Sequence, residues 1–349
     1  MKVLENLPLS MIFDKKIFYP ILLICTFIFS TQGAYSQKID LTVDFLGYVD
    51  NREFSAPYTI PKTFFGTTIS PQFGFQLEEN HKLLGGIHFN QEFGINRENK
   101  SRVRPIAYYA YSAKNIQFAL GFMPRQGRLN DISRMVLADT LQYDRPNIEG
   151  MYFNYKNDRF EQTVFIDWLS KQGNKNREQF VAGIKGKFRF GRMYLAHEGM
   201  LYHNALTSND SIDEHIQDNA VLLGKLGVDL SRLGWLDSVS LDAGASIGFD
   251  RLRSVYEMRK SPGFIANLHL GYRNFFIDNN LYIGKAMNLP IGDSFYHRNR
   301  YNRLDLGWVP LKTKRLEGRL MATFHFSPGF IDNQQSFIIR YSFGKKLLN

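Results

Sequence analysis

Large apolar and polar residues alternate along most of this chain. In SFIIRYSFG, residues 336–344, Phe337, Ile339, Tyr341 and Phe343 fall on one side while Ser336, Arg340 and Ser342 fall on the other, as on a strand, whose side chains point to opposite faces with period two. In FVAGIKGKFRF, residues 180–190, Phe180, Ala182, Ile184, Phe188 and Phe190 share one face, and Lys185, Lys187 and Arg189 share the other. The same reading predicts strands near 38–49, 63–77, 82–96, 103–112, 115–123, 148–156, 159–169, 177–190, 192–204, 218–231, 236–249, 261–273, 276–287, 300–309, 314–326 and 335–345. That makes about sixteen strands. No segment shows the period of an amphipathic helix.

A strand that is apolar on one face fits a soluble sandwich or a barrel whose outside meets lipid. The links separate the two. Long ones follow the first strand and fall near 124–147, 170–176, 205–217, 250–260, 288–299 and 327–334, while tight turns sit at 156–158, Gly191, 233–237, Asn274 and 310–313. Long loops on one side and short turns on the other, with an even strand count, is the layout of an outer-membrane barrel with both ends in the periplasm. A sandwich has no reason to sort its loops. No fixed-period repeat supports a propeller, and no Pro/Gly/Ser-rich linker divides the chain.

The front end is different. Lys15 and Lys16 precede an apolar run from Ile17 to Ser30, then small residues at Ala34 and Ser36, the order of a secretory signal peptide. The run holds Pro20 and falls short of the roughly 20 residues that cross hydrocarbon. The expected organisation is a signal peptide at 1–36, with a start at Met11 giving a more ordinary n-region, and an outer-membrane β-barrel at 37–349. Cys25, the only cysteine, leaves with the signal, so the mature chain forms no disulfide.

Composition then fits. Mean hydropathy is only −0.28 although 15% of residues are aromatic, because a barrel hides its lipid-facing residues among polar ones. A barrel of this size encloses an aqueous channel. The longest link, PRQGRLNDISRMVLADTLQYDRPN, is expected to fold into the lumen and narrow it. It mixes Arg125, Arg128, Arg134 and Arg145 with Asp131, Asp139 and Asp144. Those charges either set a transverse field at a constriction or pair with one another to hold the loop on the wall. The net charge is +10, and Lys185, Lys187, Arg189, Arg319 and Arg340 fall on polar faces, where Lys/Arg rings favour anions unless acids such as Glu92 and Glu317 neutralise them.

With its signal peptide, sixteen strands and long third outer loop, the chain resembles the trimeric porins of Gram-negative bacteria, the phosphate-selective ones in its basic lumen. GFMPR and LADTLQYDRPNIEG resemble uncharacterised outer-membrane proteins of Bacteroidota. The likeness is architectural, and KKLLN after Phe343 departs from the terminal aromatic of porins. It implies a passive channel for small polar solutes in the cell outer membrane, with outer-membrane lipid, lipopolysaccharide and the barrel-assembly machinery as partners. Whether the barrel is a trimer stays open.

No cofactor, metal, nucleic acid or catalytic residue is expected, since G-x-S-x-G, H-E-x-x-H and metal-spaced histidines are missing from the sequence. His203, Ser208 and Asp210 share one polar stretch, a grouping that chance produces often. The chain is therefore expected not to be an enzyme. A barrel lipid hydrolase or protease, and a closed structural or adhesive barrel, are the alternatives.

Overall fold

The computed structural model describes residues 39–94, 102–209, 213–232 and 234–344. The expected signal segment, Cys25 and the KKLLN tail lie outside the described residues. The strands are β1 (Ile39–Glu53), β2 (Lys62–Glu78), β3 (His81–Glu92), β4 (Arg102–Ser112), β5 (Ile116–Pro124), β6 (Asn147–Lys156), β7 (Phe160–Ser170) and β8 (Gln179–Phe190). They continue as β9 (Met193–Asn204), β10 (Gln217–Asp229), β11 (Ser238–Leu252), β12 (Tyr256–Tyr272), β13 (Phe275–Gly284), β14 (Arg300–Lys312), β15 (Leu316–Ser327) and β16 (Phe330–Gly344). Each pairs antiparallel with its sequence neighbours, and β1 pairs with β16 to close the barrel. This is the expected all-β, up-and-down transmembrane barrel of sixteen strands.

Burial runs opposite to that of a soluble protein. On β2, Phe65, Ile69, Phe73 and Phe75 are exposed while Thr68, Ser70 and Gln72 between them are buried. On β8, Ile184, Phe188 and Phe190 are exposed. Exposed apolar rows alternating with buried polar ones belong to a wall with lipid outside.

Two expected long links contract. The turn between β11 and β12 is only Arg253 to Val255, with Ser254 at φ 68°. The link between β15 and β16 is only Pro328 and Gly329, the glycine supplying a φ of 83°. Both strand pairs run on past the apolar belt. There lipid no longer dictates the alternation, so YEMRK (256–260) and FIDNQ (330–334), in which Tyr256, Met258, Phe330 and Ile331 stand among polar residues, read as loop by composition although they belong to β12 and β16.

Two real outer loops fold inward. The first, 125–146, carries a one-turn helix α1 (Leu141–Asp144); the second, 285–299, carries a 3-10 turn at Ser294–His297. Leu129, Ile132, Met135, Val136 and Leu137 of the first join Met287, Leu289, Phe295 and Tyr296 of the second in one buried apolar cluster. Inward-facing Tyr108, Tyr152, Phe165, Met200, Leu223 and Tyr282 receive it. Backbone bonds tie the loops together: Ala138 N–H donates to Ile291 O at 2.8 Å, and Asp293 N–H to Arg134 O at 2.9 Å. The lumen thus has an apolar plug toward the long-loop side and polar walls toward the short-turn side.

Candidate functional site

The charges of the first infolded loop are spent on the wall. Arg125 pairs with Asp167 of β7 and donates to Arg145 O at 2.9 Å. The Arg128 guanidinium lies over the rings of Tyr108 and Tyr152 at 5.2 and 5.8 Å. Arg145 donates to Leu169 O at 3.0 Å, and Asp144 accepts Arg104 at its backbone oxygen, 2.7 Å away. Asp139 is the hub: it accepts Arg52 of β1 at 2.8 Å and Arg134 at 3.2 Å, with Arg303 of β14 3.8 Å away. Burial pushes the Asp139 carboxyl up, but these three guanidinium groups outweigh it and hold it well below the usual carboxylate range.

Lys185, Lys187 and Arg189 alternate with exposed Ile184, Phe188 and Phe190 on β8, so they project inward. Lys185 pairs with Asp131 and donates to its backbone oxygen at 2.7 Å, closing one more contact between loop and wall. The Lys187 ammonium sits 3.7 Å from the centre of the Tyr194 ring. Arg319 pairs with Glu317 at 2.9 Å, and Arg340 reaches Gln142 of α1 at 3.3 Å. The basic residues singled out in the sequence do not gather into one ring; four of them are distributed among separate partners.

A different cluster lies on the outer wall. Trp168, Phe180, His203, Asp218 and Arg251 are directly opposite one another across β7 to β11. They share the parity of exposed Val164, Ile184, Leu201, Leu222 and Leu241, and so face outward. The next row down is Ile166, Ala182, Leu201, Ala220 and Phe249, apolar throughout. The polar row therefore sits where the lipid-facing band ends, on the long-loop side.

One carboxylate organises the row. Asp218 receives His203 Nδ1 at 2.8 Å, Arg251 Nη2 at 2.8 Å and Arg253 Nε at 2.8 Å. Phe180 packs on the imidazole with ring centres 5.1 Å apart and on Trp168 at 5.2 Å. With Nδ1–H donating to Asp218, the His203 Nε2 lone pair is left for a proton. Arg251 and Arg253 side chains are 36% and 45% exposed, so two cations flank the same carboxylate where an anionic group can reach them.

The sequence grouped His203 with Ser208 and Asp210, and the structure gives His203 a partner from the neighbouring strand, Asp218. Asp210 lies outside the described residues, and Ser208 N–H is bonded to Gly173 O at 3.0 Å. The signal that finds Asp218 is register: once β9 and β10 are paired through their intervening link, positions 203 and 218 fall opposite each other.

Known proteins resemble the whole barrel. A Vibrio cholerae outer-membrane protein, OmpT lacking loop L8, superposes with a TM-score of 0.55 at 11% identity, covering 88% of this chain and 100% of that one. An anion-selective porin from Comamonas acidovorans gives 0.54 at 9% identity, covering 88% and 100%. OccK8 (OprE) of Pseudomonas aeruginosa gives 0.51 at 9% identity, covering 88% and 99%. The expected likeness to Gram-negative porins therefore holds for the fold. No curated relative matches the sequence. A family profile described as lipid A 3'-O-deacylase-type matches residues 31–347. That match overturns the expectation of a non-enzyme, which rested on missing linear motifs, whereas a barrel assembles its side-chain clusters from separate strands.

Proposed function

The chain belongs to the lipid A 3'-O-deacylase-type family, and on that premise we propose that it is an outer-membrane hydrolase that removes an acyl chain from an anionic lipid at the outer wall of the barrel. The observation that carries the proposal is the Asp218 cluster. An outward His203 anchored by a carboxylate, flanked by Arg251 and Arg253 and standing directly above an apolar row, offers a base, cations and an acyl-facing wall to one molecule.

In this reading His203 Nε2 takes a proton from water as the water oxygen bonds to the ester carbonyl carbon. The ester C–O bond then breaks, the proton passes to the leaving alcohol, and the fatty acid departs, giving up its own proton to solvent. Arg251 and Arg253 hold the headgroup phosphates of lipopolysaccharide. Asp218 fixes the imidazole and both guanidinium groups.

The test is mass spectrometry of lipid A incubated with purified protein in detergent. Loss of one acyl chain is expected from the wild type, with a drop of about 100-fold or more for His203→Ala, the scale of a general base. Unchanged lipid A with a correctly folded wild-type barrel would sink the proposal.

A diffusion channel is the second reading. It is supported by the bore of a sixteen-strand barrel and by the anion-selective porin among the structural neighbours. The apolar cluster of the two inward loops weighs against it. Planar-bilayer recording separates the two, since a large open-channel step from the wild type favours the channel.

A further inference from the structure

We propose a second, serine-dependent hydrolytic site inside the barrel, at its short-turn mouth, formed by Ser238, His269 and Asp278. The three come from consecutive strands. Ser238 opens β11, His269 lies near the end of β12, and Asp278 is in β13 directly opposite His269. On β11 the exposed Leu241 has the opposite parity to Ser238, on β12 the exposed Phe264 and Tyr272 have the opposite parity to His269, and on β13 the exposed Phe275 and Ile277 have the opposite parity to Asp278. All three side chains therefore face the lumen.

The connectivity is that of a nucleophile, a base and an orienting acid. Ser238 Oγ is 2.9 Å from His269 Nε2, and His269 Nδ1 is 2.6 Å from Asp278 Oδ1. The two ring nitrogens are used in the order the chemistry requires: the acid holds Nδ1–H, which leaves the Nε2 lone pair facing the hydroxyl. The side chains of His269 and Asp278 are 37% and 34% exposed, so the relay meets solvent. Phe276 stacks on the imidazole at 6.5 Å.

Gly271 is part of the arrangement. It is paired with Ser238 across the hairpin, and a Cβ there would stand 2.2 Å from Ser238 Oγ. Only glycine leaves room for the hydroxyl to lie toward His269. A second serine–histidine contact among the described residues lacks an acid. Ser70 Oγ meets His88 Nδ1 at 2.8 Å, and His88 Nε2 is buried with no hydrogen-bond partner.

The substrate class is a short-chain acyl ester that enters from the short-turn side, because the apolar plug closes the other way. Ser238 Oγ bonds to the carbonyl carbon as its proton moves to His269 Nε2. The ester C–O bond breaks and the alcohol leaves with that proton. Water then gives a proton to the same nitrogen as its oxygen bonds to the acyl carbon, and that proton passes to Ser238 Oγ as the acyl-serine bond breaks and the acid leaves. This site is separate from the outer-wall cluster and does not rest on it.

The experiment is labelling of the purified, folded barrel in detergent with a fluorophosphonate probe, with the adduct located by peptide mass spectrometry. Expected are a single adduct at Ser238, none in Ser238→Ala, and labelling slowed at least 100-fold in His269→Gln. Ser70→Ala and His203→Ala are expected to label like the wild type. In the His203→Ala background, which removes the outer-wall site, hydrolysis of p-nitrophenyl acetate is expected to be lost on adding Ser238→Ala. No adduct on a barrel whose folded band still shifts on heating would overturn the proposal. So would an adduct on another serine, or labelling indifferent to His269→Gln. Loss of labelling in His203→Ala would overturn the independence of the two sites.

Discussion

Ile184 and Lys185 are neighbours in sequence and occupy opposite environments: the first faces lipid, while the second meets Asp131 inside the barrel. Ile184→Arg is therefore expected to cost about 2 to 4 kcal/mol of insertion free energy if the site is near mid-membrane. Loss of the heat-shifted folded band in gel electrophoresis reads that cost. Lys187→Glu on the inward face is expected to leave the band intact. Gly271→Ala tests a different kind of constraint. The added methyl would collide with Ser238 Oγ, so fluorophosphonate labelling is expected to fall with little change in folding, because the hydroxyl can rotate away at small cost.

The inward loop 125–146 is latched through Asp139, and the latch makes it sensitive to acid. A carboxyl depressed in the folded state contributes fully above its unfolded value, near 4, and loses that contribution as the pH falls toward the folded value. Asp293, on the other inward loop, acts in the opposite sense. Burial and then the charge of Asp139 raise it, so its protonated form favours the fold at low pH and that benefit fades as the pH climbs. Limited proteolysis of the first loop is expected to increase below about pH 4, with the loss partly offset by Asp293. Asp139→Asn is expected to show the same susceptibility at neutral pH.

Element positions were legible because period two survives wherever one face meets lipid. All sixteen predicted segments overlap a strand, from Ile39–Glu53 to Phe330–Gly344. The extensions at 256–260 and 330–334 were hidden because beyond the bilayer the alternation has no physical cause. The inward fold of 125–146 was readable from its length, while its partners in 285–299 were not, because nothing local to either segment encodes the meeting of Ala138 with Ile291. Ser238, His269 and Asp278 were invisible for the same reason. Each is one polar residue among many on an inward face, and only strand register brings the three into contact.

At the scale of the whole molecule, far-UV circular dichroism in detergent is expected to be dominated by sheet. Single-channel recording is expected to give small conductance from the wild type, rising when Gly127 to Thr140 are deleted, because the deletion removes Leu129, Met135 and Val136 from the apolar plug. Unchanged conductance after the deletion would mean the loop does not limit passage. The closing seam carries a further consequence. β1 and β16 share twelve residue pairs, from Thr42 with Gly344 to Glu53 with Asn333, and Ser342 Oγ donates to Asp44 Oδ1 at 2.6 Å across 298 residues. Until the last strand has been synthesised and exported, the first has only one neighbour and keeps a bare row of amide and carbonyl groups. A chain that stops before residue 330 would present two sticky edges instead of none. A stop codon ahead of the final strand is therefore expected to produce aggregates or proteolytic fragments rather than a smaller barrel.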